Sequence, residues 1–93
     1  PMSGAAAYCA SKYALVSMMT SIRDELKRTE IRITKVYLDG VDSPFWDNID
    51  LRVQRKKMIQ AEKAAKSIWF LCQQPSSGVV SEMVLQPFNH QAI

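Results

Sequence analysis

The order of hydrophobic periodicities along the chain is the feature that most constrains its fold. Apolar residues at helical spacing give way to a short β-branched run, and the same change occurs once more further along. The pattern predicts a helix, a strand, a loop, a second helix and a second strand, over residues 5–27, 31–38, 39–50, 62–73 and 83–86. Alternation of helices and strands is typical of a parallel sheet, so we predict an α/β fold.

Local sequence supports each of these elements. Alanines open the first helix, and apolar residues then recur at intervals of three and four, at Leu15, Met18, Met19, Ile22 and Leu26. The first strand is rich in β-branched side chains. Pro75 forces an end to the second helix, and residues 76–78 are predicted to form a turn.

The number of elements predicts an incomplete domain. A chain of 93 residues forms one domain at most. Parallel sheets are normally buried on both faces, and two strands with two main helices cannot provide that cover. We therefore expect residues 1–93 to form a single partial domain, which a missing segment or a partner completes. The start at Pro1, without an initiator Met, fits a fragment or a processed product.

Composition argues against several classes of function. The net charge is only +3, which gives no reason to expect nucleic acid or a membrane as partner, and no nucleic-acid-binding motif is present. No apolar stretch approaches the roughly 20 residues of a membrane helix. Two cysteines without metal-site spacing and a single histidine predict no metal site. The sparse cysteines favour a reducing compartment, so we expect a cytoplasmic protein.

Tyr8 and Lys12 form the pair with the clearest chemical potential. They are four residues apart on the first predicted helix, which places both side chains on one face. A phenol in water ionises only near pH 10, so acid/base work near neutrality needs a nearby cation to favour the anion. On spacing alone, a surface tyrosine beside a solvated lysine is the more common situation.

The residues around this pair indicate a more specific role. The run Gly4-Ala5-Ala6-Ala7-Tyr8-Cys9-Ala10-Ser11-Lys12-Tyr13-Ala14-Leu15 resembles the active-site helix of the short-chain dehydrogenase/reductase family. In that family the tyrosine is the catalytic acid/base, and the lysine favours its anion and binds the nicotinamide ribose. The resemblance implies these roles for Tyr8 and Lys12. It also implies that the chain is the C-terminal portion of a Rossmann-type doubly wound parallel sheet.

A second match follows at the expected distance. Gly40-Val41-Asp42-Ser43-Pro44-Phe45 resembles the family segment that runs under the nicotinamide after the next strand. The resemblance implies that the backbone of Val41 and the hydroxyl of Ser43 hold the carboxamide of NAD or NADP. An ordinary polar turn is the alternative for this stretch. The chain departs from the family at Leu38-Asp39, where Pro-Gly is usual, and so brings a carboxylate into the path of the cofactor.

The last part of the chain resembles the family's late helix and closing strand, so the likeness covers nearly all 93 residues. No glycine-rich phosphate turn is present, because the three glycines are too far apart. The family's catalytic serine would also lie upstream of Pro1. We therefore expect the N-terminal dinucleotide-binding half to be absent, and the chain alone to bind a dinucleotide poorly.

Two functions remain open from the sequence. The first is an NAD(P)-dependent oxidoreductase that acts on a small carbonyl or alcohol substrate, with NAD and NADP not distinguished. The second is a catalytically inactive fragment that self-associates through its helices and last strand, as the family's homo-oligomers do. The alanine face formed by Ala6, Ala10 and Ala14 permits close helix packing.

Two further groups have two interpretations each. Arg52, Arg55, Lys56 and Lys57 form a basic cluster, which is more often a solvated face than a site for an acidic partner or a phosphorylated cofactor. Tyr37, Phe45 and Trp46 are predicted either to line a substrate pocket or to pack in the core. Trp69 and Phe70 are predicted in the core or at a subunit interface.

Overall fold

A computed structural model of the chain describes residues 5–47 and 55–88. Its elements are α1 (Ala6–Glu25), β1 (Lys35–Leu38), β2 (Val41–Asp42), β3 (Ile59–Gln60), α2 (Ala61–Cys72) and β4 (Glu82–Leu85). Two short 3-10 helices, Pro44–Trp46 and Arg55–Lys57, lie between β2 and β3. The α/β class and the order of the main elements are as predicted from the sequence.

Helix α1 has the length that its alanines and apolar spacing predict. The hydroxyl of Thr29 donates to the Leu26 carbonyl at 2.7 Å and accepts from the Ile31 amide at 3.2 Å, which satisfies the backbone beyond the helix end. None of the 20 residues of α1 is buried within the part of the chain that the structure describes. The apolar stripe of the helix is therefore at most half-buried, as at Val16, Met19 and Ile22.

Strand β1 is shorter than predicted. The sequence indicated residues 31–38, but only Lys35–Leu38 pairs with another strand. The preceding residues use their backbone groups elsewhere, since the Ile31 amide bonds Thr29 and the Ile33 carbonyl accepts from the Arg23 guanidinium at 2.9 Å. β-branched composition therefore overestimated the strand, because it does not show where a partner strand begins.

The main sheet is parallel, as predicted. β1 pairs with β4 in the register Lys35 with Glu82 through Leu38 with Leu85. The Lys35 ammonium, whose side chain is only 12% exposed, lies 2.9 Å from the Glu82 carboxylate and also donates to the Thr20 hydroxyl at 3.0 Å. This contact lowers the pKa of Glu82 below its ordinary value, first through the hydrogen bond from Lys35 and then through its charge. Lys35 thus joins β1, β4 and α1.

A second two-stranded parallel sheet was not predicted. β2 pairs with β3, so that Val41 lies opposite Ile59 and Asp42 opposite Gln60. The sheet starts at Gly40, whose carbonyl accepts from the Ile59 amide at 2.9 Å and whose φ of 63° favours glycine. Strands of two residues carry no periodic signal, and for that reason the sequence pattern missed them.

The hydrophobic core of the described residues is small. Its buried hydrophobic residues are Trp46, Met58 and Ala64, which lie around the second sheet and α2. Val84 on β4 is 63% exposed, which agrees with the expectation that two strands and two helices leave a sheet face uncovered. Trp69 and Phe70 are 63% and 61% exposed, so of the two places predicted for them the core is wrong, and a subunit interface stays a prediction.

Neither α1 nor α2, the two α-helices in the described ranges, is long and apolar enough to cross a membrane.

Candidate active site

A cleft of about 570 Å³ lies between the first half of α1 and the segment that follows β1. All four site residues predicted from the sequence line it, namely Tyr8, Lys12, Val41 and Ser43. Tyr37, Asp39, Phe45 and Trp46 contribute to the same walls. Two stretches about 30 positions apart in the sequence are therefore brought to one cavity. In a parallel α/β fold, the start of a helix and the carboxyl end of the strand that follows it lie at the same edge of the sheet.

Tyr8 and Lys12 share one face of α1, as their spacing predicts. The Lys12 ammonium lies 5.4 Å from the centroid of the Tyr8 ring, and the tyrosine is 43% exposed toward the cleft. At this distance the cation interacts favourably with the face of the ring. Ser11, between them, donates its hydroxyl to the Tyr8 carbonyl at 2.7 Å and so has a local structural role. The pair is available to a molecule in the cleft.

An aromatic wall faces Tyr8 across the cleft. The rings of Tyr8 and Phe45 have centroids 6.3 Å apart, and Phe45 meets Trp46 edge to face at 5.1 Å. Trp46 is 8% exposed, and its indole N–H donates to the Val41 carbonyl at 2.9 Å. Of the two interpretations of these aromatic residues, core packing holds for Trp46, whereas Phe45 is an exposed residue of the cleft wall and a role in a substrate pocket stays a prediction.

Val41 and Ser43, which the resemblance predicts to hold a nicotinamide carboxamide, both line the cleft. The Ser43 hydroxyl accepts from the Phe45 amide at 3.4 Å and caps the 3-10 helix Pro44–Trp46. A hydroxyl that accepts one bond still has its hydrogen to donate, and the Val41 carbonyl has a second lone pair beside the one used by Trp46. The donor and acceptor set in this wall thus fits a carboxamide.

Asp39 is the residue in this part of the cleft that departs from the family pattern. Its backbone amide donates to the Leu85 carbonyl at 2.9 Å, so the end of β4 fixes the residue at the floor of the cleft. Its side chain is exposed. The lining of the cleft therefore includes Asp39 as well as Lys12.

Arg55 is the residue that the sequence interpretation missed. It was assigned to a solvated basic cluster, and Lys56 and Lys57 are exposed as expected, whereas Arg52 lies outside the described residues. The Arg55 guanidinium instead binds Asp42 at 2.7 Å and Asp47 at 2.8 Å. The hydrogen bonds that Arg55 donates, first the one to Asp47 and then the one to Asp42, raise the pKa of Arg55.

No periodic signal could have found this contact, since the acceptors of Arg55 lie 13 and 8 positions before it in the sequence. The nearest available indication was the pair of acidic residues that flanks Ser43-Pro44-Phe45-Trp46.

Metal chemistry has no support in the described ranges 5–47 and 55–88, where no three His, Cys, Asp or Glu side chains come together. Cys9 lines the cleft beside Tyr8 and is half-buried with a free thiol. The polar side chains in the lining of the cleft are those of Tyr8, Cys9, Lys12, Tyr13, Tyr37, Asp39 and Ser43.

Comparison with known proteins agrees with this geometry. The family model described as short chain dehydrogenase matches residues 1–54, which contain α1, β1 and β2. The chain is similar to a sepiapterin reductase of Chlorobaculum tepidum, with 31% identity over 80 residues, 86% of this chain and 32% of that protein. It is also similar to an uncharacterized oxidoreductase of Staphylococcus epidermidis, with 32% identity over 88% of this chain and 35% of the relative.

An uncharacterized oxidoreductase of Staphylococcus saprophyticus is 35% identical over 86% of this chain and 33% of its own length. The chain thus spans about a third of the length of the curated relatives it matches. No solved structure matches it significantly. Because the family model covers more than half of the chain, including the cleft residues on α1 and β2, the chain belongs to the short-chain dehydrogenase family.

Proposed function

We propose that this chain supplies the acid/base side of an NAD(P)-dependent oxidoreductase site that interconverts a small carbonyl compound and its alcohol. The observation that carries the proposal is the shared cleft. Tyr8 and Lys12 on α1 line the same cavity as Val41 and Ser43, with the Lys12 ammonium 5.4 Å from the Tyr8 ring. Membership of an oxidoreductase family and relatives with reductase names support the same chemistry.

Tyr8 is the proton donor in this proposal. Its phenol is exposed to the cleft and can donate to the oxygen of a carbonyl, or accept from an alcohol in the reverse direction. The nicotinamide, when bound, supplies or accepts the hydride at the carbonyl carbon. After the proton has left Tyr8, the phenolate would lie beside the positive charge of Lys12, whose ammonium is 5.4 Å from the centroid of the ring.

The cofactor is held by the same two segments. Lys12 would donate to hydroxyls of the nicotinamide ribose, and Val41 and Ser43 would hold the carboxamide from the opposite wall. The Ser43 hydroxyl keeps a hydrogen to donate, since its contact with Phe45 uses it as an acceptor. Phe45 and Tyr37 would present an apolar surface to the substrate, which suits a pocket whose few polar groups fix orientation.

The pyrophosphate side of such a site needs other residues. No glycine-rich turn that could cradle phosphates lies in these 93 residues, and the chain spans about a third of its relatives. We infer that a dinucleotide-binding half must accompany this chain for turnover.

Titration of NADH and NADPH tests the proposal. The 93-residue chain and the whole protein that its gene encodes should be compared by the change in nicotinamide fluorescence. We expect saturable binding and turnover of a generic aldehyde or ketone only in the form that has a phosphate-binding half. Lys12→Met should weaken binding and turnover there, whereas Lys27→Met should not, because Lys27 lies in the turn just after α1, where it pairs with Asp24 at 3.6 Å. No binding of either cofactor by the whole protein would refute the proposal.

Self-association as an inactive polypeptide is the second candidate. It is favoured by the apolar side chains that α2 and β4 expose, among them Trp69, Phe70 and Val84. Sedimentation velocity over a range of concentrations tests it. We expect a dimer or larger species whose population falls when Trp69 and Phe70 are replaced by serine and glutamine. A monomer at all concentrations would contradict it.

A further inference from the structure

Arg55 makes the densest set of polar contacts beside the cleft. Its Nε donates to Asp42 Oδ1 at 2.7 Å, its Nη1 to Asp47 Oδ1 at 2.8 Å, and its Nη2 to the Ser43 carbonyl at 3.1 Å. The three acceptors belong to one stretch, residues 41–47, which comprises β2 and the 3-10 helix that follows it. One side chain therefore joins the start, the middle and the end of that stretch.

Residues 41–47 form the wall of the cleft that faces Tyr8. Ser43 and Phe45 project from this wall, and the Phe45 ring lies 6.3 Å from the ring of Tyr8. The wall has little hydrophobic support of its own, since Trp46 is its one buried apolar residue in the described ranges. Its two carboxylates would repel each other without a cation between them.

The contacts require an arginine. A guanidinium directs N–H groups in fixed, planar directions, so it can serve three separate acceptors at once, whereas an ammonium is a compact point charge. Lys56 and Lys57, next along the chain, have no ion pair within the described residues and are exposed. The position of Arg55, rather than the charge of the basic cluster, therefore explains its three contacts with residues 41–47.

We propose that Arg55 is a positioning residue, which holds residues 41–47 so that the Ser43 hydroxyl and the Phe45 ring meet the cofactor and substrate opposite Tyr8. The inference rests on the function proposed above and extends it to a residue that touches neither ligand. Its loss should weaken cofactor binding more than the proton transfer at Tyr8, because the phenol and Lys12 are on α1 and are not held by Arg55.

The test uses the whole protein and two kinds of measurement. Hydrogen exchange, followed by mass spectrometry, reports on the amides of residues 45–47, and fluorescence titration reports the Kd of NADH or NADPH. For Arg55→Gln we expect faster exchange in residues 45–47 and a Kd raised between about threefold and about a hundredfold, as small misplacements of binding groups produce. For Arg55→Lys we expect an exchange rate and a Kd between those of the wild type and those of Arg55→Gln. Lys56→Gln, the same charge change one residue away, should alter neither.

A milder variant guards against loss of folding. Asp47→Asn removes one of the two carboxylates and keeps Arg55 bound to Asp42, so it should produce a smaller change of the same kind. In the double variant that combines Asp47→Asn with Arg55→Gln, the changes in exchange and in binding should be smaller than the sum of those in the two single variants. The reason is that Asp47→Asn also removes the repulsion between the carboxylates.

Each result decides on the inference. Wild-type exchange rates in Arg55→Gln would overturn it, whether or not the protein binds a cofactor. Faster exchange with an unchanged Kd would also overturn it, since Arg55 would then be structural only. A wild-type protein that binds neither cofactor would refute the proposed function instead. The exchange rates of residues 45–47 would then still show whether Arg55 positions this wall.

Discussion

The Lys12 ammonium lies 5.4 Å from the centroid of the Tyr8 ring, one helical turn further along α1. This relationship depends only on helix geometry, because residues four apart share a face. It leaves the phenol oxygen free of any hydrogen bond within the described residues, so the group remains available to a ligand in the cleft. The chemical roles of the two residues can therefore be tested separately.

Replacement of Tyr8 by phenylalanine should abolish turnover and preserve binding. The change removes the hydroxyl and keeps the ring that faces Phe45 at 6.3 Å. Loss of a general acid typically costs about a hundredfold to about ten-thousandfold in rate. We expect kcat of the whole protein to fall by that order, with a Kd for NADPH or NADH close to the wild-type value. Wild-type kcat in Tyr8→Phe would show that another group donates the proton.

Asp39 should bias the site toward the oxidised cofactor. The oxidised nicotinamide ring is a cation and the reduced ring is neutral, so a carboxylate at the floor of the cleft favours the oxidised form. Asp39→Asn keeps the shape and removes the charge. We expect the ratio of the Kd of the oxidised form to that of the reduced form to rise by about twofold to about tenfold, the modest effect of an exposed charge.

The measurement is a titration of the reduced cofactor followed by competition with the oxidised one. Asp24→Asn, a carboxylate in the last turns of α1 that pairs with Lys27, is the matched control and should leave the ratio unchanged. A ratio that stays constant in Asp39→Asn would mean that the bound nicotinamide lies away from the carboxylate.

The Lys35–Glu82 contact predicts a specific loss of stability in acid. Lys35 lowers the pKa of Glu82 below its ordinary value of 4.5, so the folded state favours the ionised carboxylate. The resulting stabilisation is present above that ordinary value and disappears as the pH falls through the lowered pKa of Glu82. We expect Glu82→Gln to be less stable than the wild type near neutrality and to lose less stability on acidification.

Thermal unfolding followed by circular dichroism, between about pH 7 and about pH 3, checks this. Glu30→Gln, an exposed side chain in the bend before β1, should keep the acid sensitivity of the wild type. Parallel curves for Glu82→Gln and the wild type would contradict the assignment.

Gly40→Ala should destabilise the protein, and Gly78→Ala should not. Gly40 has a φ of 63°, which costs an L-residue about 1–2 kcal/mol. Gly78 has no such φ, and a Cβ there would meet Pro75 at an ordinary 3.9 Å. We expect a lower Tm for Gly40→Ala, and for Gly78→Ala a Tm equal to or above the wild type, since alanine reduces the freedom of the unfolded chain. Equal losses in both variants would refute this explanation.

The sequence predicted the parts of the molecule that depend on local periodicity. α1, α2 and β4 lie within one residue or two of their predicted bounds, and Tyr8, Lys12, Val41 and Ser43 meet at one cleft as the family pattern implied. Features that depend on distant partners were missed. β1 lost its first four predicted residues because no strand pairs with them in the described ranges, and β2 and β3 are too short to show a period.

Arg55 shows the same limit at the level of a side chain. Its charge predicted a solvated surface, but the fold brings Asp42 and Asp47 to it from 13 and 8 positions back along the chain. Trp69 and Phe70 are exposed in this structure, so of the two places predicted for them the core is wrong and a subunit interface stays a prediction. In both cases the deciding fact is what lies opposite the residue, which composition and spacing do not contain.

The absence of buried side chains along α1, within the described residues, has a thermodynamic consequence for the site on it. In proteins most of the stability of a helix comes from the packing of its apolar face, and α1 has no fully buried side chain there, so little tertiary packing opposes fraying of its first turn. Only molecules with an ordered first turn hold Tyr8 and Lys12 in register. Measured affinity and rate are then the intrinsic values multiplied by the fraction of ordered molecules. Anything that covers α1 raises both together without touching the cleft.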